Sequence, residues 1–286
     1  SRGLGDVYKR QYQFWVFVYP TSQPFAVTAA QLRSELDRVR KRVDPDRADK
    51  AIDRTVLVGH SMGGLVSRLA SSESGDAVWS ALSDRKLDEL ALDKDAKQAI
   101  SQVVYFKPHP QVARVIFAAT PHHGSNLANT SIGKLGRALA RPPSKVMEKT
   151  RSILRQAPAA LANDLGSRLT SVDSLAPDSP FILAMTEGVK PAVPYHTIAG
   201  ILPPDSRTVR TESLLLGSDN DPHGDGVVPY ASARLDGAQS EVLVMAEHTT
   251  VHHHPRALAE FRRVLRLHIK ESGDLKPVSA TSAEPR

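Results

Sequence analysis

A serine between glycines directly follows a continuous apolar run, and this spacing can place a nucleophile on a sharp turn. Residues 55–58 (TVLV) predict a strand buried on both faces, and the motif G-H-S-M-G at residues 59–63 leads into a helical pattern over residues 65–70. Small neighbours permit a strained strand-to-helix turn that lifts the Ser61 hydroxyl clear of the sheet. The Met62 backbone N–H, at the start of the helix, is then placed to donate to a developing oxyanion.

An acidic loop further along the chain supplies candidates for a histidine-orienting carboxylate. Asp225 lies in the segment G-D-G-V-V-P at residues 224–229, after a predicted strand region that begins at Tyr195. Asp219 and Asp221 lie in the same loop and are the alternatives, although a solvated acidic turn suits them better. Three aspartates can also form a calcium loop, but their spacing does not match an EF-hand, so we predict no metal here.

Four histidines follow another apolar run and include a candidate general base. His248 is the first histidine after residues 241–245 (EVLVM), and a base for Ser61 is expected in a loop at the carboxyl end of a late strand. His252 is the alternative. It lies nearer the start of the last predicted helix, where capping or solvent exposure is the commoner role for a histidine. Consecutive histidines can bind a metal, but no other ligands are arranged to complete such a site.

The elements that must position these side chains alternate between strand and helix. Short β-branched or continuous apolar runs predict strands, and apolar residues at helical spacing predict helices. The predicted strands are residues 14–19, 55–58, 113–119, 195–199 and 241–245, and the predicted helices are residues 28–43, 65–70 and 255–269. Strands separated by helices predict an α/β fold with a mostly parallel sheet flanked by helices.

The order Ser61, Asp225, His248 follows the chain order of nucleophile, acid and base in one large superfamily. The chain resembles a bacterial serine esterase or lipase of the α/β-hydrolase superfamily, and it is similar to the lipase-like and inositol-deacylase-like branches. The resemblance rests on the segments FWVFVYPT, VLVGHSMGGLVSR, RVIFAATPHHGS, DGVVPYASARLDGA and EHTTVH, which together touch most of residues 14–269.

This resemblance implies an enzyme that cleaves carboxylic esters of small molecules or lipids through an acyl-enzyme intermediate, without a cofactor. In such an enzyme Ser61 attacks the ester, His248 transfers the proton and Asp225 orients the histidine. A serine acyltransferase with the same triad is one alternative. A non-catalytic binding protein on a hydrolase fold is the other.

Family features also bear on the rim of the site. The segment T-P-H-H-G-S at residues 120–125 resembles a lid-anchoring loop of the family, so we expect neither His122 nor His123 to be catalytic, and His60 is expected to be an ordinary neighbour of the nucleophile. The second oxyanion donor normally comes from a loop after a strand that this sequence lacks. We therefore expect an N-terminally truncated fragment, with a gap inside the sheet, that folds poorly and is nearly inactive.

The amino-acid composition is that of a globular protein and excludes several other kinds of site and partner. The 286 residues are 41% hydrophobic and 24% charged, as in globular proteins, and they include no cysteine, which excludes disulfides and thiolate metal sites. The formal net charge of +6 is mild, and few aromatic residues interleave with the basic ones, so we expect no nucleic-acid partner. No apolar run approaches the span of a transmembrane helix.

Two stretches interrupt the alternation of strand and helix. Residues 71–110 are charged and predict a helical insertion, whereas residues 127–185 mix basic and apolar side chains and predict a lid or cap. The apolar residues of this lid suit an acyl chain and its basic residues suit anionic headgroups, so a peripheral contact with a lipid surface is expected there. A helical cap with a solvated basic face is the alternative. Nothing in the residue pattern indicates an oligomeric state.

Both ends of the chain are predicted to lie outside the hydrolase domain, residues 12–271. Residues 272–286 are small and polar and predict a disordered tail. At the other end, D-V-Y-K-R-Q at residues 6–11 can be encoded by DNA that resembles the transposon mosaic end used in sequencing libraries, so our hypothesis is that residues 1–11 are an adapter-derived leader. With the native start absent on this hypothesis, a bacterial cytoplasmic or cell-envelope location is left open.

Overall fold

Four parallel strands form the centre of the fold. The computed structural model describes residues 11–20, 23–125, 173–202 and 224–273. The strands described are β1 (Thr55–His60), β2 (Val112–Ala118), β3 (Tyr195–Ile201) and β4 (Ser240–Met245). They lie side by side in chain order, and every neighbouring pair is parallel. The carboxyl ends of all four strands therefore meet at one edge of the sheet.

Helices connect and cover these strands. In chain order the described helices are α1 (Phe25–Val43), α2 (Met62–Ala70), α3 (Ala77–Ser80), α4 (Lys94–Val104), α5 (Pro180–Glu187), α6 (Tyr230–Ala233) and α7 (Pro255–Glu271). Single 3₁₀ turns occur at Ile52–Arg54, Leu87–Glu89, Asp173–Leu175 and Val251–His253. Local residues fix some helix starts: the Asp93 carboxylate accepts from the Ala96 N–H at the start of α4, and Pro255 occupies the first position of α7.

Alternating side chains of β2 divide the core into two layers. Val115 and Phe117 pack in the layer covered by α1, α2 and α4, whereas Ile116 and Ala118 pack in the layer covered by α7. All four side chains are buried. Burial on both faces is typical of a parallel sheet between helices, so the structure confirms the predicted α/β fold.

The N-terminal apolar run does not form the predicted strand. Residues 14–19 have no regular secondary structure, and Phe14, Val16 and Val18 are 71%, 84% and 85% exposed. A β-branched run becomes a strand only when a neighbouring strand satisfies its backbone hydrogen bonds. In the described part of the chain β1 pairs with β2 alone, and nothing pairs with residues 14–19. The prediction from β propensity was therefore wrong.

The other predicted elements are present, most of them with wider bounds. Helix α1 begins at Phe25, three residues before the predicted start, because Phe25 is buried edge-on against Phe181 of α5. Residues 71–110, predicted as a helical insertion, contain α3, the turn Leu87–Glu89 and α4. Among the described residues no helix combines the length and apolarity needed to cross a membrane.

Three predicted segments lie largely outside the described residues. Residues 1–10 of the leader and residues 274–286 of the tail are not described, and the lid prediction falls mostly on residues 126–172. Its described end, residues 173–185, contains the turn Asp173–Leu175 and most of α5.

Candidate active site

Ser61 lies on a sharp turn between β1 and α2. Its backbone φ of 54° and ψ of −129° fall in a region that L-amino acids rarely adopt. Tight packing surrounds the turn, since a Cβ atom on Gly59 would collide with the Gly63 carbonyl and one on Gly64 would collide with the Thr120 side chain. Gly59 of the predicted motif and the adjacent Gly64 are therefore required by the structure, whereas a Cβ atom on Gly63 would make only ordinary van der Waals contact. Backbone strain of this kind is found most often at functional sites.

His248 joins Ser61 to Asp225 through both nitrogens of its ring. His248 Nε2 lies 2.9 Å from Ser61 Oγ, and His248 Nδ1 lies 2.8 Å from Asp225 Oδ2. Because an ionised carboxylate only accepts hydrogen bonds, we assign the ring proton to Nδ1, which leaves Nε2 to accept from the Ser61 hydroxyl. The histidine and the aspartate are both buried. Three residues predicted from separate parts of the sequence thus form one hydrogen-bonded chain.

Backbone contacts hold Asp225 at the carboxyl end of β3. The Leu202 N–H donates to the Gly224 carbonyl at 2.8 Å, which brings the acidic loop back to the strand. Asp225 Oδ1 accepts from the backbone N–H groups of Val227 and Val228 at 3.0 and 2.8 Å. These two donors fix the orientation of the carboxylate and leave its other oxygen for the imidazole.

The main chain of His248 is held from two sides. Its N–H donates to the Asp225 carbonyl, and its carbonyl accepts from His60 Nε2, each at 2.9 Å. The His60 ring also packs against the rings of His248 and His252, with centroids 4.9 and 4.6 Å apart. Burial lowers the pKa of His60 to about 4, so its imidazole is neutral at neutral pH.

His252, the alternative considered for the base, takes no part in this hydrogen-bonded chain. His252 packs on His60, and burial lowers the pKa of His252. Asp219 and Asp221 lie outside the described residues. Within the described ranges no group of three or more His, Asp or Glu side chains is placed to hold a metal ion.

The N-terminus of α2 offers a donor beside the nucleophile. Met62 is the first residue of this helix, and the first N–H of a helix has no acceptor within the helix itself. The partial positive charge of the helix end favours an anion at the same position. The Tyr19 hydroxyl lies nearby, 3.5 Å from where a Cβ atom on Gly63 would be, and burial raises the pKa of Tyr19.

The loop at residues 120–125 packs along α2, from Gly64 near its start to Arg68 near its end. His122 is fully buried with its ring edge-on to Phe117, and burial lowers its pKa well below the usual value. Arg68 of α2 is buried too, and its guanidinium donates to the His122 carbonyl at 3.3 Å and to the Val189 carbonyl at 3.0 Å. The loop is therefore joined to α2 and to the segment that follows α5.

Sequence reasoning missed the contacts of His60 and Arg68. His60 was expected to be an ordinary neighbour of Ser61, yet it bonds to the main chain of His248. One signal was available for each residue. A histidine that ends a buried strand lies at the same sheet edge as the loops of the other strands, and an arginine within the apolar pattern of residues 65–70 requires buried acceptors.

A comparison with protein-family models identifies the class to which this fold and site belong. The model of the α/β-hydrolase family matches residues 2–261. The chain therefore belongs to the α/β-hydrolase family, as its motifs predicted. Among curated proteins, none is significantly similar to it in sequence.

Solved structures of similar fold include two lipases and an esterase. A carboxyl esterase of metagenomic origin is 19% identical with a TM-score of 0.51, and the match covers 93% of this chain and 68% of the esterase. The mature lipase of Bacillus licheniformis is 18% identical (TM-score 0.41; 88% and 77% covered), and the lipase of Staphylococcus hyicus is 15% identical (TM-score 0.40; 77% and 71% covered). At these identities the likeness concerns the fold.

Proposed function

We propose that this chain is a serine hydrolase that cleaves carboxylic esters through an acyl-enzyme intermediate. The observation that supports this proposal is the hydrogen-bonded chain from Asp225 through His248 to Ser61. It lies where loops follow the carboxyl ends of parallel strands, the part of an α/β fold in which function is usually found. A hydroxyl next to a base that is itself oriented by a buried carboxylate is the arrangement of an activated nucleophile.

The reaction begins with transfer of the Ser61 proton to His248. As Oγ forms a bond to the ester carbonyl carbon, Nε2 takes the proton, and the Asp225 carboxylate stabilises the resulting imidazolium. The tetrahedral intermediate then collapses: the bond to the alkoxide breaks, and this leaving group takes the proton from Nε2. Water repeats the sequence on the acyl-enzyme, which releases the carboxylic acid and restores the serine.

The Met62 N–H stabilises the charge that develops on the carbonyl oxygen. It is a fixed donor at the positive end of a helix, so it needs no reorganisation as the oxyanion forms. Loss of one such donor typically reduces turnover on the order of 100-fold or more. A second donor, not identified in this sequence, would raise the rate further.

The proposed substrate is an ester whose acyl group is apolar. The similarity in fold to a carboxyl esterase favours esters only by analogy. The mixture of basic and apolar residues over residues 127–185 favours a lipid-like acyl chain and contact with an anionic lipid surface. An ester of a small molecule is the second substrate class that we propose.

A pair of serine substitutions tests the proposal. The wild-type chain, Ser61→Ala and Ser80→Ala would be treated with a fluorophosphonate probe and assayed on p-nitrophenyl esters of short and long acyl chain. Ser80 is an exposed serine at the end of α3, so Ser80→Ala is a matched control for the chemical change. We expect labelling and slow turnover in the wild type and in Ser80→Ala, because only one oxyanion donor is identified, and neither in Ser61→Ala.

Each outcome of this experiment has a distinct meaning. Labelling that persists in Ser61→Ala would show that another group is the nucleophile. A folded wild-type protein that is neither labelled nor active would favour a binding protein on a hydrolase fold. If an added alcohol diverts most of the acyl group from water, the protein is an acyltransferase with the same triad.

A further inference from the structure

We infer that His60 is a positioning residue, which holds the main chain of His248 so that its ring stays aligned between Ser61 and Asp225. The contact is a hydrogen bond of 2.9 Å between His60 Nε2 and the His248 carbonyl. This inference rests on the proposed function, because a position for His248 matters only if that residue is the base.

The tautomer of His60 follows from its partner. A backbone carbonyl only accepts hydrogen bonds, so His60 Nε2 must carry the proton in this contact. The ring is half-buried, and burial lowers the pKa of His60 to about 4, which keeps the ring neutral at neutral pH. A neutral ring places no repelling charge beside the imidazolium that forms on His248 during the reaction.

The position of His60 in the fold explains how a neighbour of Ser61 can hold the main chain of His248. His60 is the last residue of β1, and Ser61 follows it on the turn, so both are fixed by the same strand end. His248 lies three residues after β4, which is at the far edge of the described sheet from β1. The His60 bond therefore ties the loop of the base directly to the strand of the nucleophile.

His60 and His252 both contact neighbouring rings, but only His60 also donates a hydrogen bond to the main chain of His248. The groups that face His60 are His248 and His252, with the Asp225 carboxylate beyond the ring of His248. His252 also packs on the His60 ring, and its buried Nδ1 atom has no hydrogen-bond partner in the described residues. His252 thus contributes ring contact to the cluster, whereas His60 contributes both ring contact and a donor.

Four variants of the full chain test the inference: His60→Gln, His60→Asn, His60→Phe and His252→Phe. The side-chain amide nitrogen of glutamine lies about as far from the main chain as Nε2 of histidine, so His60→Gln keeps the donor in place. The asparagine side chain is one methylene shorter, so His60→Asn cannot reach the carbonyl. His60→Phe keeps an aromatic ring but has no donor. His252→Phe is the matched control, because it makes the same change in a ring that contacts His60 and removes an unpartnered nitrogen.

We expect kcat to depend on the hydrogen-bond donor at position 60 and not on the presence of an aromatic ring there. For hydrolysis of a p-nitrophenyl ester, His60→Phe and His60→Asn should each lower kcat about tenfold with KM unchanged, which is the effect of losing one aligning hydrogen bond. His60→Gln should stay within about threefold of the wild type, and His252→Phe within about twofold. Thermal unfolding of every variant accompanies the kinetics, and the comparison of His60→Gln with His60→Asn holds even if His60→Phe does not fold.

The result that overturns the inference differs from the one that overturns the proposed function. Equal kcat in His60→Gln and His60→Asn, with Ser61-dependent turnover in the wild type, would show that the donor has no positioning role and would leave the hydrolase intact. A rise in KM without a fall in kcat would contradict the inference in the same way. Absence of Ser61-dependent turnover in the wild type would overturn both.

Discussion

Asp225→Asn tests whether the carboxylate sets the tautomer of His248, because the structure fixes which way the new amide points. The backbone N–H groups of Val227 and Val228 both donate to Asp225 Oδ1. An asparagine must keep its oxygen there, since an amide NH₂ facing two N–H groups would lose both hydrogen bonds. Its NH₂ then replaces Oδ2, 2.8 Å from His248 Nδ1.

The reversed donor forces the ring of His248 into the unproductive tautomer. Nδ1 must now accept from the amide, so the proton moves to Nε2, where it faces the Ser61 hydroxyl. The ring can no longer take the serine proton. A carboxylate-to-amide change of this type lowers kcat on the order of 10⁴-fold, which corresponds to about 5 kcal/mol of transition-state stabilisation.

The assay compares kcat for a p-nitrophenyl ester in wild type, Asp225→Asn and Asp236→Asn. Asp236 has an 87% exposed side chain, so the same change there should leave kcat within about twofold. Circular dichroism and urea unfolding check that Asp225→Asn is folded. If a folded Asp225→Asn protein kept more than about a tenth of the wild-type kcat, the tautomer argument would be refuted.

Three further predictions concern stability. Arg114→Met should lower the free energy of unfolding by about 2 kcal/mol, because the buried acceptors His196 and His268 lose the guanidinium that donates to them. The kcat should not change, since Arg114 is remote from the strand ends that hold Ser61, Asp225 and His248; urea titration and ester hydrolysis measure the two effects. Gly64→Ala should destabilise by about 3 kcal/mol through overpacking, whereas Gly188→Ala, with open space around it, should stay within about 0.5 kcal/mol in the same titration. Burial lowers the pKa of His196 to about 4, so the unfolded chain binds that proton at higher pH than the folded one. The free energy of unfolding should therefore fall as the pH drops from about 6.5 to about 4. His196→Gln should make the free energy of unfolding depend less steeply on pH over this range. An unchanged slope would contradict a lowered pKa for His196.

The two central strands, β2 and β3, could be predicted because they are buried on both faces. At the edges of the described sheet, β1 and β4 are partly exposed, so the expectation that residues 55–58 are buried on both faces was wrong: Val58 is 55% exposed. A continuous apolar run such as residues 115–119 needs helices above and below it, so its sequence alone indicates a central parallel strand. The run at residues 14–19 has a similar apolar composition but no pairing partner among the described residues, and composition contains no information about partners. Strand propensity therefore succeeded where pairing was present and failed where it was not.

The candidate site was predictable for a related reason. Parallel strands bring their carboxyl ends to one edge, so residues that follow three separate strands are expected to meet, and chain order assigned Ser61, Asp225 and His248 to their places. Hydrogen bonds between residues far apart in the sequence left no comparable pattern in the sequence. The acceptors of Arg68 and the donor to the His248 carbonyl are long-range partners, and only the packed structure reveals which backbone groups come within reach.

Strand order has a consequence for how this protein acquires reactivity during synthesis. Since β1, β2, β3 and β4 are neighbours in the order in which they leave the ribosome, each new strand can add to the edge formed by the one before it. Ser61 follows the first described strand, and His248 lies in the loop after the last described one. On the proposed mechanism, a nascent chain can therefore form most of this sheet while Ser61 still lacks its proton acceptor, and the hydroxyl is activated only after His248 has been translated.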